Sequence, residues 1–191
     1  MEPVLEENDK IMFYNYLDKA TVYFEYGSGG STYQANARTN IAKIYSVESD
    51  MRWFNTLKEK IQSNKIVSFF NEMDTRPNTW GNPGPNSNAT QRINYSNHIL
   101  NLTRDEQLAI DLILIDGRFR VACCLKCFDV IKSDCLIAFD DFLNRKHYHI
   151  VLDYFNIVEK TKGERMVILQ KKPNVTSIPG DIIKKYELIS D

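Results

Sequence analysis

The apolar residues of this chain recur in two rhythms that alternate along its length. Five short runs rich in β-branched and aromatic residues predict buried strands, at residues 22–26, 41–47, 65–70, 111–115 and 135–139. Elsewhere, apolar residues at helical spacing predict helices at residues 7–20, 31–39, 50–62, 91–100, 120–131 and 145–155. Two further strands, at residues 157–159 and 165–170, are joined by Thr161-Lys162-Gly163 and predict a hairpin.

Strands that alternate with helices predict an α/β fold with a mostly parallel sheet. The closing hairpin adds one antiparallel strand, which we expect at an edge of the sheet. Residues 1–172 then form one domain, and residues 173–191 form a tail with a short helix at residues 181–188.

Residues 71–95 interrupt the alternation, because this segment is rich in proline, glycine and asparagine. A loop this long inside a compact domain is usually functional or disordered. It follows the carboxyl end of a predicted strand, where open α/β sheets bind their ligands. We therefore predict a lid or an acceptor-binding loop; the alternative is a solvated insertion.

The first predicted strand runs into a glycine-rich turn, Gly27-Ser28-Gly29-Gly30, and Ser31 and Thr32 then favour the start of a helix. Strand, glycine turn and helix together predict a nucleotide-type ligand site, where glycines let the backbone approach a ligand. A phosphate-binding P-loop is excluded because no Gly-Lys-Ser/Thr follows the turn. A dinucleotide site is disfavoured because Thr32 stands where a third glycine belongs.

Two acidic residues refine the kind of ligand. Glu25 lies two positions before Gly27, where a pyrophosphate would be repelled but a ligand with an ammonium and a sulfonium group would be favoured. Glu48 ends the second predicted strand, about 20 residues after the first glycine, where an acid binds ribose hydroxyls.

These segments resemble the motifs of class I S-adenosylmethionine-dependent methyltransferases. The matching stretches are residues 25–31, residues 46–50, Trp80-Gly81-Asn82-Pro83 and residues 111–118. The resemblance implies a three-layer Rossmann-like sandwich with a seven-stranded sheet, S-adenosylmethionine as cofactor and S-adenosylhomocysteine as product.

The resemblance also implies a cofactor-binding set: Glu25, Tyr26, Gly27, Ser28, Gly29, Ser31, Glu48, Ser49, Asp74 and Asp116. In this interpretation Glu25 meets the methionine ammonium, directly or through water, and Glu48 binds the ribose. Ser49 lines the adenine, and Asp74 binds the adenine amine, with Glu72 as the competing candidate. Trp53 is expected in the core.

Catalytic candidates follow the fourth and fifth predicted strands, because methyl transfer to a hydroxyl needs alignment, exclusion of water and removal of a proton. Asp116 ends strand four and is the strongest candidate; the alternative is a helix cap. Asp140 and Asp141 end strand five, and the three carboxylates together could hold Mg²⁺ or a similar divalent cation. His147, or else His149, is a candidate base near neutral pH, although a surface position is the simpler reading of each.

Two arginines flank the end of strand four and would compete with a metal ion. Arg118 and Arg120 could bind an anionic acceptor by forked hydrogen bonds, or they could pair with Asp140 or Asp141. Arg118 is retained as a catalytic candidate on the first of these interpretations.

Charge and composition limit the partners and the location. The 191 residues carry a formal net charge of −1, so no electrostatic argument supports sequence-independent binding of nucleic acid, and none is expected as a partner. No apolar run is long enough to span a membrane. Four cysteines lie within residues 123–135, and buried reduced thiols explain them better than half a zinc site. With an acidic start that lacks a signal-peptide pattern, they indicate a reducing, cytoplasmic location; the oligomeric state stays open.

The sequence thus predicts O-methylation of a hydroxyl on a sugar, a glycan or another small acceptor. Strand four ends in Asp116-Gly117-Arg118, without the Asn/Asp-Pro-Pro-Phe/Tyr motif that would indicate an amino acceptor. One alternative is a catalytically inactive partner-binding module with the methyltransferase fold. A less favoured alternative is a nicotinamide-linked oxidoreductase.

Overall fold

The computed structural model describes residues 1–162 and 165–190. Seven strands form one sheet: β1 (Val22–Tyr26), β2 (Lys43–Glu48), β3 (Ile66–Phe70), β4 (Leu112–Ile115), β5 (Leu136–Phe139), β6 (Phe155–Lys160) and β7 (Val167–Lys171). Seven α-helices accompany them in the described residues: α1 (Glu7–Leu17), α2 (Gly30–Ala37), α3 (Met51–Lys60), α4 (Ala89–Asn97), α5 (Arg104–Ala109), α6 (Arg120–Cys127) and α7 (Gly180–Tyr186). Two 3-10 helices cover His98–Asn101 and Lys146–Asp153.

The sheet has the order β3-β2-β1-β4-β5-β7-β6. Strands β1 to β5 are parallel, and β7 runs antiparallel to both of its neighbours, β5 and β6. The prediction of one antiparallel strand from the hairpin is therefore confirmed, but its expected edge position is wrong. The edge strand is β6, because the second strand of the hairpin, β7, pairs with β5 and so lies between β5 and β6. Gly163 of the predicted turn lies outside the described residues.

Helices cover both faces of the sheet and make a three-layer sandwich. On β4, Leu112 and Leu114 pack in a cluster with residues of α1, whereas Ile113 and Ile115 pack with residues of α4 and α6. Alternate residues of a strand point to opposite faces, so a strand covered on both sides must be apolar throughout. This explains the uninterrupted run Leu-Ile-Leu-Ile in the sequence.

Three local features differ from the sequence predictions. Residues 104–109 form α5, which was not predicted because six residues are too few to show a helical period; only its Thr103 and Glu106 capping box signalled it. Residues 146–153 form a 3-10 helix where a helix of unspecified type was expected. Trp53 is 36% exposed on α3, so its predicted core position is wrong.

The tail packs on the domain. Ile178 is buried, and the ammonium group of Lys126 on α6 lies 2.6 Å from a carboxylate oxygen of Glu187, just past α7. The predicted short helix thus belongs to the outer layer on that face of the sheet. Among the described residues, no helix is both long and apolar enough to cross a membrane.

The strand order places a ligand site. Chain connections lead from β1 outward to β2 and β3 on one side, while β4 and β5 lie on the other. In open α/β sheets, ligands bind outside the carboxyl ends of strands where the order reverses in this way. The carboxyl ends of β1 and β4 are therefore where the predicted site residues should meet.

Candidate functional site

The glycine turn after β1 is pressed against the end of β4. Gly27 has φ +93°, a conformation that side chains other than glycine rarely adopt, and its N–H donates to the Val47 carbonyl at 3.0 Å. A Cβ atom on Gly27 would lie 2.8 Å from the backbone of Gly117. Both the conformation and this close approach require glycine, so the turn lies at the predicted junction of β1 and β4.

The third glycine of the turn is required for another contact. A Cβ atom on Gly30 would lie 2.1 Å from the carbonyl group of Glu2. Glu2 is held there by hydrogen bonds from Tyr14, at 2.6 Å, and from Gln34, at 2.6 Å. The N-terminal segment therefore lies directly on the first turn of α2.

Glu25 is fully buried beneath this turn. Its carboxylate accepts hydrogen bonds from the hydroxyls of Tyr23 at 2.8 Å, Ser31 at 2.6 Å and Ser46 at 2.6 Å, and from Thr32. Burial raises the pKa of Glu25, and the hydroxyl donors oppose that shift. Because protein donors already occupy both oxygens, the carboxylate locks α2 to β1 and β2, and its predicted contact with an ammonium group stays a prediction.

Glu48 ends β2 beside the turn. One of its oxygens accepts from the Ser28 hydroxyl at 2.8 Å, and the other accepts from the N–H groups of Ser49, at 2.7 Å, and Asp50, at 2.8 Å. Burial raises the pKa of Glu48, which is 8% exposed. Protein donors thus occupy both oxygens of Glu48, and its predicted contact with ribose hydroxyls stays a prediction.

Gly29 and Trp53 complete the surface of the turn. The Gly29 N–H donates to the Thr32 hydroxyl at 2.9 Å, and the Trp53 indole donates to the Ser28 carbonyl at 2.8 Å. Thr32 thus has a structural reason to replace the third glycine of a dinucleotide motif. Below the turn, a cavity of about 250 Å³ extends between α3 and the sheet, with Ser46 and Ser68 in its wall.

Two tyrosines define the other side of the junction. The side chain of Tyr26 is fully buried and donates to the Ser96 carbonyl at 3.0 Å, so at this predicted site residue only the main chain faces the turn. The Tyr95 hydroxyl accepts from the Arg118 N–H at 3.4 Å and would lie 2.0 Å from a Cβ atom on Gly117. Tyr95 therefore fixes the path of the chain directly after Asp116.

Asp116 lies at the end of β4 with its side chain 29% exposed. One of its carboxylate oxygens pairs with the guanidinium of Arg120 at 3.1 Å, and the carboxyl group of Asp140 lies beside it. Burial raises the pKa of both carboxyl groups; Arg120 opposes the shift, and Asp116 further raises the pKa of Asp140, to about 8. Of the two carboxyl groups, that of Asp116 is the more exposed, at 29% against 3% for Asp140.

Arg120 is buried, and its N–H groups donate to oxygens of the protein itself. It bonds the carbonyls of Gly117 at 3.0 Å, Asp140 at 2.7 Å and Asp116 at 3.0 Å, in addition to its carboxylate pairs. Of the two interpretations of this residue, pairing with strand-end carboxylates is confirmed.

Asp141 is held by three arginines. Its oxygens lie 3.3 Å from Arg120, 2.7 Å from Arg145 and 3.1 Å from Arg165. Guanidinium groups therefore surround the carboxylates predicted to bind Mg²⁺. Among the described residues no group of three or more His, Cys, Asp or Glu side chains is arranged to hold a metal ion, so the metal prediction is not supported.

The predicted lid lies over the end of β2. A Cβ atom on Gly81 would lie 3.4 Å from the Ser49 hydroxyl and 3.9 Å from Glu48, and the Asn82 side chain accepts from Arg118 at 3.2 Å. Asp74 accepts from the Asn86 N–H at 2.9 Å and so stabilises the loop; its role toward adenine stays a prediction.

The remaining candidates are His147, His149 and the four cysteines. His147 is exposed on the 3-10 helix, and His149 contacts the Phe142 carbonyl at 3.1 Å. The role of His147 as a base stays a prediction. All four cysteines are buried, as expected.

Sequence reasoning missed Tyr95 and the hydroxyl groups around Glu25. A signal existed for one of them, because Ser46 is a polar residue in the middle of a buried strand and therefore needs a buried partner. Tyr95 gave no such signal, since its position at Gly117 depends on how α4 packs on the sheet.

Similar proteins are known from their structures. No protein-family model matches the sequence, and no curated protein matches it significantly. A methyltransferase-like protein from Silicibacter pomeroyi DSS-3 is similar over 100% of this chain and 98% of its own, with a TM-score of 0.80 and 24% identity.

Two more distant structures share the architecture. The B. subtilis tRNA methyltransferase TrmK covers 90% of this chain and 68% of its own, with a TM-score of 0.55 and 9% identity. A fibrillarin pre-rRNA processing protein from Methanococcus jannaschii covers 82% of this chain and 68% of its own, with a TM-score of 0.52 and 14% identity. Together with the sheet order and the glycine turn, these likenesses establish that the chain has the Rossmann-like fold of the class I S-adenosylmethionine-dependent methyltransferases.

Proposed function

We propose that this protein transfers the methyl group of S-adenosylmethionine to a hydroxyl group of a sugar, a glycan or another small acceptor. The observation that carries the proposal is the junction of β1, β2 and β4, where the Gly27 turn, the Glu48 carboxylate and Asp116 meet under one loop. This arrangement offers a backbone cradle and a ribose ligand on one side, and an outward-facing carboxylate on the other.

The donor supplies a methyl group on a positively charged sulfur, which leaves as a neutral thioether. The residues of the chain would hold and orient it: Glu48 at the ribose hydroxyls, and the main chain of the Gly27 turn along the methionine part. The buried carboxylates Glu25 and Glu48 favour a cationic ligand over an anionic one.

Asp116 is the proposed general base. As the acceptor oxygen forms its bond to the methyl carbon and the carbon–sulfur bond breaks, the hydroxyl proton passes to a carboxylate oxygen of Asp116. Arg120 pairs with this carboxylate at 3.1 Å and favours its charged form, which opposes the rise in pKa that burial causes. The chemistry needs no metal ion in this scheme.

Binding is tested first by calorimetry with S-adenosylhomocysteine and, separately, with NAD. We expect saturable binding of the former and none of the latter, since Thr32 stands where the third glycine of a dinucleotide motif belongs and Glu25 precedes the turn. Binding of NAD alone would discard the proposal in favour of an oxidoreductase.

Turnover is tested with radiolabelled donor and a panel of glycans. We expect Asp116→Asn to lower the rate of methyl transfer by about 100-fold or more, the usual loss of a general base, while S-adenosylhomocysteine binds as before. The matched control is Asp111→Asn at the opposite end of β4, where the carboxylate bonds Lys132 and two N–H groups and should leave the turnover unchanged. A normal rate in Asp116→Asn would remove this residue from the mechanism.

A second candidate acceptor is RNA, because two of the similar structures are of a tRNA methyltransferase and a pre-rRNA processing protein. The same labelled donor with total tRNA in place of glycans distinguishes the two acceptor classes. S-adenosylhomocysteine binding without label transfer to either class would instead favour a partner-binding module.

A further inference from the structure

The tip of the loop over the donor site, residues 76–82, is a closed and internally bonded turn. The Arg76 N–H donates to the Asn82 carbonyl at 2.9 Å, and the Asn82 N–H donates to the Thr79 carbonyl at 3.2 Å. Two side-chain bonds, from Thr79 to the Arg76 carbonyl and from Asn82 to the Thr79 carbonyl, both 2.8 Å long, reinforce it. The tip therefore has one defined shape.

This loop tip is attached to the site on two sides. On one side Gly81 lies against Ser49 and Glu48, the predicted adenosine ligands. On the other side Arg118, which follows β4 two residues after Asp116, donates to the Asn82 side chain at 3.2 Å. The loop tip thus spans the distance between the donor residues and the proposed base.

Trp80 lies in this loop tip, and the residue is 77% exposed. Its backbone is left-handed, with φ +56°, and Asn78 beside it has φ +57°. For a bulky residue this conformation is an outlier that costs free energy, and such outliers persist where the surrounding structure imposes them, often at functional sites. The fold therefore places a large aromatic side chain in solvent, directly before Gly81, which lies against Ser49 and Glu48.

We propose that Trp80 is the platform on which a sugar ring of the acceptor stacks, an inference that rests on the proposed function. An exposed indole combines a large apolar face with a polar edge. The same loop carries further neutral amide side chains at Asn78 and Asn86, a type of group that both donates to and accepts from hydroxyls.

The charge of the molecule favours a sugar over a nucleic-acid strand as the stacked group. Binding of a phosphate backbone depends on many Lys and Arg contacts and on the release of counterions, whereas this chain has a formal net charge of −1. The loop tip itself contributes a single cationic residue, Arg76.

The two tryptophans of the chain provide a matched pair of fluorescent reporters. In Trp53→Phe the remaining indole is Trp80, on the loop tip. In Trp80→Phe it is Trp53, which bonds the Ser28 carbonyl of the glycine turn at 2.8 Å. The first variant should respond to the acceptor and the second to the donor.

The probes are methyl glycosides of hexoses and 6-deoxyhexoses, S-adenosylhomocysteine and a single-stranded RNA hexamer. We expect at least one glycoside to change the emission of Trp53→Phe saturably at millimolar concentration, and to leave Trp80→Phe silent. S-adenosylhomocysteine should change the emission of Trp80→Phe. In the wild-type background, Trp80→Ala should weaken glycoside binding by about tenfold, as expected when a stacked aromatic contact is lost.

Two results would overturn the inference: no glycoside affects Trp53→Phe, or only the RNA hexamer does so saturably. Both remain distinguishable from failure of the proposed function, because S-adenosylhomocysteine binding is read independently from Trp53. If the protein binds S-adenosylhomocysteine but no glycoside at Trp80, this inference fails while the proposed function stands.

Discussion

Asp140 shows how a buried carboxyl group makes the stability of this protein depend on pH. Burial and the neighbouring carboxylates Asp116 and Asp141 raise its pKa to about 8, although Arg120 favours the charged form. The folded state therefore holds a proton that the unfolded chain releases above its ordinary pKa of about 4. Because the native state binds more protons between these two values, the free energy of unfolding falls as pH rises toward 8.

We expect the free energy of unfolding to fall less in Asp140→Asn, which mimics the neutral carboxyl group, than in the wild type as pH rises from about 6.5 to about 9. This range brackets the Asp140 pKa of about 8. Thermal unfolding at several pH values measures this. Starting near pH 6.5 keeps the titration of His98 out of the measurement. Burial lowers the pKa of His98 to about 4, so its protonation reduces the free energy of unfolding only at lower pH. The exposed Asp134→Asn serves as control and should follow the wild type; equal slopes for all three proteins would contradict the assignment.

At the level of single residues, the sequence predicted which residues lie at strand ends better than it predicted their hydrogen-bond partners. The positions of Glu48 and Asp116 at strand ends were predicted correctly, because strand ends are visible as changes in the apolar pattern; their roles stay predictions. The four hydroxyl partners of Glu25 were not foreseen, because Ser31, Thr32 and Ser46 come from two different elements. Their convergence depends on the register of β1 against β2, which pairs Glu25 with Ser46 directly.

At the level of elements, the loop over the site depends on a glycine conformation. Gly81 has φ +73°, and a Cβ atom there would approach the Ser49 hydroxyl to 3.4 Å. Gly81→Ala should therefore displace the loop from Glu48, at a cost of about 1–2 kcal/mol for the left-handed backbone. We expect calorimetry to show weaker binding of S-adenosylhomocysteine.

The control for this substitution lies at the other end of the chain. Gly180 begins α7, and a Cβ atom there would meet no heavy atom within 4 Å. Gly180→Ala should leave ligand binding unchanged and stabilise the helix by up to about 1 kcal/mol. Equal affinities in both alanine variants would show that the loop takes no part in binding.

The type of an element was predictable where its apolar pattern was long and strong. The position of a strand in the sheet was less predictable, because it depends on which strands pair. The five parallel strands follow from short, predominantly apolar runs, uninterrupted in β4 and β5, as a sheet covered on both faces requires. The place of β7 did not follow, since the sequence of a hairpin does not specify which of its two strands joins β5. Short elements such as α5 are stabilised by capping and packing, which leave little periodic signal.

On the scale of the whole molecule, one buried side chain joins the two parts of the sheet at the site. Arg120 bonds the carbonyls of Asp116 and Gly117 after β4 and the carbonyl of Asp140 after β5. Its guanidinium also neutralises carboxylates from both strand ends, and their proximity raises the pKa of Arg120 despite its burial. The donor half, β1 to β4, is therefore tied to β5, β7 and β6 where catalysis is proposed.

Arg120→Lys should consequently destabilise the protein by about 3 kcal/mol or more, because a lysine keeps the charge but cannot supply the planar set of five donors. Buried carbonyls and a carboxylate would lose their partners. Denaturant unfolding measures the change, and the control is Arg104→Lys, an exposed arginine that bonds the Val130 carbonyl at 2.8 Å and should shift stability by no more than about 0.5 kcal/mol. If both lysine variants unfold at the same denaturant concentration, the carboxylates at the ends of β4 and β5 do not depend on Arg120, and the geometry assigned to Asp116 needs another support.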